Sequence, residues 1–475
     1  MKLWAKGYEA APLVERYEAG RNAVLDGDLA RYDLWGSLAH ARTLQRAGVL
    51  TEAEMAALAS ALHHLLIRAE EGDLRPQAAQ EDIHTLVEQQ LTAMVGDTGK
   101  KIHTGRSRND QVLVDIRLYS KDALLAVATE LHATVSALLV LAGAHEWTPM
   151  PGYTHMQRGM LSSVGLWAAA HAEALLDDAG MLAAAYALND QSPLGSGAAF
   201  GSPLPLDREY TAQLLGFARP QHTVLAAANG RGKGEAAIVG ALALVMLDLS
   251  KAAQDILLFT TTEFGFFSVP PELCSGSSMM PQKRNLGALE LVRARTHTVI
   301  AAQTQMLSLL AGLPSGYNMD YQETKAPLME SLAICRESLA IVGLFAANIT
   351  VDVEPIRAAC TGEIFATDRA LALAQSGVPF RDAYQQQAAA TQTPTAPDDL
   401  DMRLHERTSL GTSGNLGLPT LIARGATDRT AWDERQTTFT NAFTALWAVA
   451  PQAESDSFGA TSTLSSVDGA VAIGI

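Results

Sequence analysis

The chain has 475 residues, enough for about three domains or for one large helical body with smaller ends. Its formal net charge of −16 disfavours a surface for nucleic acid or anionic membranes, because such surfaces need clustered Lys and Arg. The three cysteines, Cys274, Cys335 and Cys360, are odd in number and widely spread, which disfavours a disulfide framework and fits a reducing cytoplasm.

The amino-terminal hundred residues predict short helices and no targeting segment. Residues 1–20 lack the apolar core of a signal peptide. A helix is expected over 51–71, opened by Thr51 with Glu54 three residues later in a capping box. The longest apolar run, 236–247, is shorter than the ~20 residues that span a bilayer, so we expect a soluble cytoplasmic protein.

A long amphipathic helix is predicted over 111–142, which contains neither Gly nor Pro and repeats apolar residues at spacings of three and four. Similar Ala- and Leu-rich segments occupy about 160–188, 233–264, 286–312 and 326–348. Five such helices indicate an extended bundle. Several are apolar on more than one side, which predicts burial against other subunits in a homo-oligomer.

The carboxyl-terminal part predicts a smaller helical unit that starts within 366–387. From Pro451 the chain is rich in Ser, Gly and Ala without a period, which is typical of a loose tail. The expected domains are an amino-terminal helical domain, a central long-helix domain, a small carboxyl-terminal helical domain and a tail, over 1–110, 111–360, 361–450 and 451–475.

Five polar clusters interrupt the helical segments. They are EDIH at 81–84, KIHTGRSRND at 101–110, PGYTHMQR at 151–158, SGSSMMPQKRNLGALE at 275–290 and GYNMDYQETK at 316–325. Because they lie far apart in the sequence, any common site must be assembled in space.

Donor groups gather just ahead of the long central helix. Ser107, Arg108 and Asn109 precede it, and the free N–H groups and dipole of a helix start favour a carboxylate. A capping loop with solvated arginines explains the same residues equally well. The role of His155 is also left open by the sequence, since a lone histidine beside an apolar helix often has a structural role.

The 275–290 cluster offers a more particular chemistry. Gly276 allows unusual backbone angles, so Ser277 can be held on a mobile or strained loop. The Lys283 ammonium could stabilise negative charge on a substrate carboxylate, and Asn285 adds a directional amide. This arrangement suits proton abstraction beside a carboxylate, although an exposed Gly/Ser turn explains the same residues in isolation.

Nucleotide and metal sites are not expected. The glycines at 195–201 approach a dinucleotide fingerprint but follow no predicted strand. His63 and His64 are adjacent and cannot chelate one metal from one helix face, and no HExxH occurs. The segment NGRGKGE at 229–235 is only superficially similar to a phosphate loop, and we interpret it as a flexible or substrate-sensing loop.

Taken together and in order, the clusters resemble the fumarase/aspartase superfamily and, within it, the argininosuccinate lyases. The segments that carry this resemblance are KIHTGRSRNDQV, PGYTHMQR, PLGSGAAFGSPLPLDREYTAQLLGF, GSSMMPQKRN and LPSGYNMDYQETK, within 25–384. The resemblance implies an all-α subunit, a homotetramer whose active sites each draw on three subunits, and no metal or organic cofactor. It also implies elimination of arginine from argininosuccinate, leaving fumarate, in arginine biosynthesis.

The resemblance assigns the chemistry to four side chains. Ser277 would remove the Cβ proton of the succinyl group, and Lys283 would stabilise the resulting aci-carboxylate. His155 would act as the acid toward the leaving nitrogen, and Glu290 would orient and charge it.

Substrate contacts follow from the same resemblance. Those implied for carboxylate groups are Ser107, Arg108, Asn109, Thr154 and Asn285. Those implied for the arginine end are Tyr317, Gln322 and Lys325, and His84 is implied as a substrate contact or a wall of the site.

One departure from the family pattern bears on the reaction. Leu286 and Gly287 stand where the family usually has Pro-Asp, so we expect a looser entry into the helix that carries Glu290. A lyase that releases fumarate from another N-substituted aspartate, for example nitrosuccinate, therefore stays open. A catalytically silent structural relative is the third hypothesis.

Overall fold

The computed structural model describes residues 11–76, 82–390 and 398–448 of the chain. The predicted loose tail after Pro451 lies outside these residues, as does Glu81 of the EDIH cluster. Within them the fold is built almost entirely from α-helices, which confirms the predicted fold class.

Five helices form the amino-terminal part. They are α1 (Pro12–Ala19), α2 (Asn22–Arg46), α3 (Glu52–Glu70), α4 (Ile83–Val95) and α5 (Asp97–Lys100). The predicted capping box of α3 is confirmed, since Thr51 Oγ1 accepts from Glu54 N at 3.3 Å while Glu54 Oε2 accepts from Thr51 N at 3.0 Å. The start of α3 therefore follows directly from the local sequence.

Long helices dominate the central part, separated by short strands and helices. In chain order these are α6 (Arg108–Ala144), β1 (Pro149–Thr154), β2 (Gln157–Ser163), α7 (Val164–Asn189), β3 (Gln191–Ser192), α8 (Arg208–Leu214), β4 (Arg219–Pro220), α9 (Val224–Asn229), α10 (Lys233–Phe259), β5 (Phe267–Ser268), α11 (Gly287–Leu310), α12 (Lys325–Asn348) and β6 (Thr350–Val351). β1 and β2 form an antiparallel hairpin, β3 pairs with β4 in parallel, and β5 pairs with β6 antiparallel.

The five predicted long helices are all present, as α6, α7, α10, α11 and α12. α6 packs on α7 and α12, while α10 packs on α7, α11 and α12. Leu131, Leu249, Val299 and Leu339 come from four of these helices and are completely buried in one shared core. Apolar residues at helical spacing thus build the bundle, as the periodicity predicts.

The carboxyl-terminal part contains α13 (Val353–Ala359), α14 (Ala366–Gln375), α15 (Phe380–Ala389), α16 (Leu400–His405) and α17 (Leu418–Ala448). The periodicity of the sequence does not predict α17 as a long helix. Its buried Trp432, Phe439 and Leu446 join the main core, and α17 packs on α2, α6, α7 and α8. The last described helix therefore returns to the central bundle.

The long helices alternate in direction, so the bundle has two distinct ends. Gly165 N donates to His145 O at 2.9 Å where α7 starts, and Asn189 Nδ2 donates to Arg117 O at 2.9 Å where α7 finishes. We call the end where α6 begins end A and the end where it finishes end B. α10 starts at end A, where Gly230 lies against Arg117 of α6, and α11 packs antiparallel to α10 and finishes there. α12 also starts at end A, since Lys325 pairs with Asp26, which accepts from Ile83 N at the start of α4.

By length and composition alone, two helical segments of the described residues could cross a membrane. Neither contains an uninterrupted apolar run of that length. They are Arg108–Ala144 and Val224–Phe259. In each, 61% of the most apolar window is buried inside the fold. Packing in the core accounts for this apolarity, as it does in the central helices of bundles.

Candidate active site

At end A, Ser107 caps the start of α6. Its Oγ accepts from Asn109 N at 3.3 Å, and Asp110 Oδ1 accepts from Ser107 N at 2.9 Å, which completes a capping box. The Ser107 hydroxyl therefore serves as a cap while its own proton stays available to a ligand. The half-buried Asn109 lies in the first turn of the same helix.

Arg108 joins the start of α6 to the start of α4. Its Nη2 donates to Thr85 Oγ1 at 2.6 Å, and its Nε lies 3.5 Å from Asp82 Oδ2. Asp82 in turn caps α4 by accepting from Thr85 N at 2.8 Å. Asp82 of the EDIH cluster and Arg108 of the KIHTGRSRND cluster thus join two helix starts by a charged contact.

The glycine-rich segment after β3 closes over this helix start. The buried Asp110 accepts from Gly195 N at 3.0 Å and from Gly197 N at 2.8 Å. Both glycines have positive φ, and a Cβ on Gly197 would lie 3.0 Å from Gly201 O, so a side chain there would be strained. The segment that superficially suggested a nucleotide site instead wraps the first turn of α6.

His84 lies beneath the helix start and is only 7% exposed. Its Nδ1 is 2.8 Å from Asp33 Oδ1 and 3.7 Å from Asp115 Oδ2. Gln111 Nε2 donates to the same Asp33 oxygen at 2.6 Å. The predicted substrate contact or wall residue is therefore the centre of a buried polar cluster on α2, α4 and α6.

The pKa values of the titratable side chains in this cluster depend on burial and on the charges of their neighbours. Burial alone would lower the pKa of His84, but the carboxylates of Asp33, Asp82 and Asp115 raise it to about 9. Burial acts to raise the pKa of Asp33, yet the His84 cation lowers it overall. Burial raises the pKa of Asp115 well above its ordinary value, and the Asp33 charge adds to the rise. His84 is thus a buried cation at neutral pH.

The same three side chains could offer ligands to a metal ion, because the ligating atoms of Asp33, His84 and Asp115 lie within 4.8 Å of one another. Sequence reasoning missed this group because its members come from three different helices. A metal would have to displace the proton that His84 Nδ1 shares with Asp33, and the buried guanidinium of Arg106 already opposes the two carboxylates. The charges present in the chain therefore balance this cluster internally.

Stability should fall as pH rises through the alkaline range because of His84. Its pKa in the fold, about 9, exceeds the value of roughly 6.5 for an unfolded histidine. The stabilisation is therefore complete below the unfolded value and is lost as pH rises through the folded one. We expect the free energy of unfolding to drop by roughly 2–3 kcal/mol between about pH 6.5 and pH 10.

Urea unfolding of the wild type and of His84→Gln at one protein concentration measures this effect. The variant should show the flatter pH dependence, whereas replacing the exposed His222 by Gln should leave the wild-type slope. Parallel curves for wild type and His84→Gln would refute the assignment.

The residues predicted for the arginine end also lie at end A, two of them between α11 and α12 and Lys325 at the first position of α12. The Tyr317 hydroxyl donates to Met319 Sδ at 3.4 Å, and Gln322 Nε2 lies 3.8 Å from the same sulfur. Lys325 is only 2% exposed, and its Nζ donates to Asp26 Oδ1 at 2.6 Å. A carboxylate of the substrate would therefore have to compete with Asp26 for the Lys325 ammonium.

At end B, His155 occupies the turn of the β1–β2 hairpin. Thr154 pairs with Gln157, which leaves His155 and Met156 as the two central residues with φ of 54° and 62°. Positive φ at both positions is the pattern of a type I′ turn, which normally selects Gly or Asn. His155 and Thr154 are exposed, so a strained turn presents the histidine to solvent.

Ser277 also lies at end B, on a loop that Ser275 and Asn285 close by reciprocal backbone hydrogen bonds of 2.8 Å. Ser277 Oγ accepts from Met279 N at 3.3 Å and from Met280 N at 3.1 Å. Gly276 does not have a positive φ, so the unusual backbone angle expected from the sequence is not present. Two backbone amides hold the Ser277 oxygen instead.

The remaining predicted groups of end B surround the start of α11. Lys283 and Glu290 are exposed, and the Asn285 side chain donates to Gly276 O at 3.4 Å. Leu286 occupies the cap position without a side-chain hydrogen bond, but its side chain packs against the main core. Packing of Leu286 therefore holds the start of α11, where a Pro-Asp pair would have restricted the backbone and placed a negative charge at the positive end of the helix.

The predicted site residues therefore form two groups at opposite ends of one subunit. α11 and α12 have 24 residues each, which separates the ends by about 35 Å. End A holds Ser107, Arg108, Asn109, His84, Tyr317, Gln322 and Lys325, and end B holds Thr154, His155, Ser277, Lys283, Asn285 and Glu290. A small-molecule substrate is far shorter than this separation and cannot bridge these groups within one chain.

Comparisons with known proteins identify related sequences and folds. Residues 14–301 match a family model described as lyase. The argininosuccinate lyase of Sorangium cellulosum is 44% identical over 424 residues, which are 89% of this chain and 98% of the relative. The argininosuccinate lyase of Thermotoga neapolitana is 40% identical over 387 residues, covering 81% and 96%.

Solved structures share the fold at lower identity. EDDS lyase in complex with formate superposes with a TM-score of 0.79 at 22% identity, covering 94% of this chain and 96% of that one. A class II fumarase from Schistosoma mansoni gives a TM-score of 0.65 at 14% identity, covering 77% and 84%. At these identities the likeness concerns the architecture.

Proposed function

Because this chain belongs to the argininosuccinate lyase family, we propose that it eliminates arginine from argininosuccinate and leaves fumarate. The observation that carries the proposal is the 44% identity to the Sorangium cellulosum enzyme across 98% of that relative. The reaction is a reversible carbon–nitrogen cleavage, and it places the chain in arginine biosynthesis.

The geometry of the Ser277 loop supports its assignment as the base. A serine hydroxyl is a weak base, so its ionised form must be favoured before it can take the Cβ proton. The Met279 and Met280 amides both donate to Ser277 Oγ, and donors aimed at an oxygen favour its charged form. The exposed ammonium of Lys283 on the same loop adds a positive charge that the substrate can approach.

The other assignments at end B complete an elimination. Removal of the Cβ proton collects charge on the adjacent carboxylate, which Lys283 and Asn285 would bind in its aci form. His155 would protonate the leaving guanidinium nitrogen, with Glu290 as its charge partner. Thr154, directly beside His155 on β1, would bind a carboxylate of the succinyl group.

Assembly of the site requires other subunits. Since the groups of end A and end B are separated by the length of the bundle, we propose a cytoplasmic homotetramer in which each site draws on three subunits. Ser107, Arg108 and Asn109 of one subunit would then bind substrate carboxylates beside the Ser277 loop of another. Tyr317, Gln322 and Lys325 would hold the arginine end.

Exposed apolar residues on the long helices support this assembly. Large apolar side chains are between 40% and 70% exposed on the surface of one subunit at Val140, Met181, Leu244, Leu247, Leu291, Leu307 and Leu344. They come from all five long helices of the bundle. Burying them between subunits removes apolar area from water, which is the main driving force of such association.

Turnover of argininosuccinate by the purified protein tests the proposal. Fumarate release is followed by ultraviolet absorbance, and arginine is measured in the same samples. Nitrosuccinate and another N-substituted aspartate serve as competing substrates. Fumarate from one of these but not from argininosuccinate would overturn the proposal in favour of a related lyase. A folded tetramer that releases no fumarate from any of them would identify a silent relative.

A further inference from the structure

The segment 229–232, which comprises the last residue of α9 and the link to α10, contacts the loop that carries the residues of the arginine end. Asn229 Oδ1 accepts from Gly316 N at 2.8 Å, and Asn229 Nδ2 donates to Ser315 Oγ at 3.2 Å. One amide side chain therefore fixes two successive residues of that loop, immediately before Tyr317.

Arg231 contacts the same loop through its guanidinium, which is only 2% exposed. The guanidinium carbon lies 5.4 Å from the ring centroid of Tyr317 and 5.8 Å from that of Tyr321. Nη2 donates to Tyr321 O at 3.5 Å, whereas Nε and Nη1 have no hydrogen-bond partner in the part of the chain that the structure describes. The Arg231 guanidinium thus contacts two aromatic rings and donates one hydrogen bond in the described part of the chain. Cation–π attraction is strongest for a cation that is removed from water in this way.

Gly232 lies where this segment approaches the end of α11 closely. Its φ is +80°, and a Cβ there would lie 2.3 Å from Leu310 Cδ2. A Cβ would force the Leu310 side chain to move, and the left-handed backbone at this position favours glycine. Glycine at 232 therefore lets the start of α10 lie against the Leu310 side chain, directly after the buried Arg231.

We propose that Asn229 and Arg231 are positioning residues that hold Tyr317 in the orientation needed to bind the arginine end of the substrate. This inference rests on the proposed function, because that function assigns Tyr317 to arginine. Neither side chain belongs to the groups at end A or end B that would bind the succinyl part. Their loss should therefore weaken binding of arginine and leave binding of fumarate unchanged.

The reverse reaction separates the two halves of the substrate. We expect Arg231→Met to raise the KM for arginine about tenfold, while the KM for fumarate stays within about twofold of wild type. Arg231→Lys keeps a cation near the rings and should recover part of the loss. Asn229→Ala should raise the KM for arginine in the same direction. Lys233→Met is the matched control, because Lys233 is an exposed cation directly after this segment, at the start of α10.

The outcomes distinguish this inference from the proposed function. A wild-type protein without turnover in either direction would contradict the proposed function itself. An active wild type whose variants keep the KM for arginine, or raise both KM values in parallel, would overturn the positioning role. Since Arg231→Met removes a buried cation, thermal unfolding and oligomer mass are measured first, and Asn229→Ala with Arg231→Lys decides the matter if that variant does not fold.

Discussion

Replacing Ser277 with alanine should lower fumarate production from argininosuccinate by about a thousandfold, which is typical of losing a positioned base. The hydroxyl oxygen is held by the amides of Met279 and Met280, so alanine removes the group without displacing a core side chain. The loop is exposed, and losing these two hydrogen bonds should cost at most about 1–2 kcal/mol of stability. The measurement is the initial rate at saturating substrate.

Ser278 provides the matched control for this substitution. It is the exposed neighbour of Ser277 on the same loop, and Ser278→Ala should keep most of the activity. Thermal unfolding and oligomer mass of both variants should match the wild type. Nearly equal activities of Ser277→Ala and Ser278→Ala would remove Ser277 from the role of base.

Mixed oligomers of two inactive variants should recover activity when the substitutions lie at opposite ends of the subunit. Asn109→Ala damages end A, and Ser277→Ala damages end B. If a site takes these ends from two different subunits, random mixing leaves about a quarter of the sites with neither substitution. We therefore expect co-expressed variants to regain about a quarter of wild-type activity per site.

A mixture with both substitutions at one end is the control for this experiment. Ser277 and Lys283 lie on one loop, so oligomers that combine Ser277→Ala with Lys283→Ala contain no complete site and should stay inactive. Each single variant, purified alone, sets the baseline. An inactive mixture of Asn109→Ala with Ser277→Ala, in proven hetero-oligomers, would contradict a site shared between subunits.

The long helices could be predicted because burial imposes a helical period on their apolar residues. α17 shows the limit of that signal. It is rich in Thr, Asp and Arg, and it reaches the main core mainly through Trp432, Phe439 and Leu446. These core residues are seven positions apart, which is too sparse for a helical period to be recognised in the sequence. The length of α17 therefore depends on tertiary packing that its sequence pattern does not reveal.

The polar clusters could be found because they interrupt apolar helices, but their partners could not. Lys325 is paired with Asp26, which lies 299 residues away in the sequence. His84 meets Asp33 and Asp115 from two other helices. Local patterns contain no information on such distant contacts, so only the fold shows that Lys325 and His84 are already engaged within the subunit.

The ion pair between Asp26 and Lys325 has a consequence for the newborn chain on the ribosome. Asp26 is synthesised 299 residues before its buried partner, which is an interval of roughly 15–60 s at ordinary rates of translation. During that interval the Asp26 carboxylate lacks its ion pair, and among its contacts in the fold it has the Ile83 N–H as an earlier-made partner at 3.4 Å. The start of α2 therefore completes its native contacts only after the start of α12 has been made.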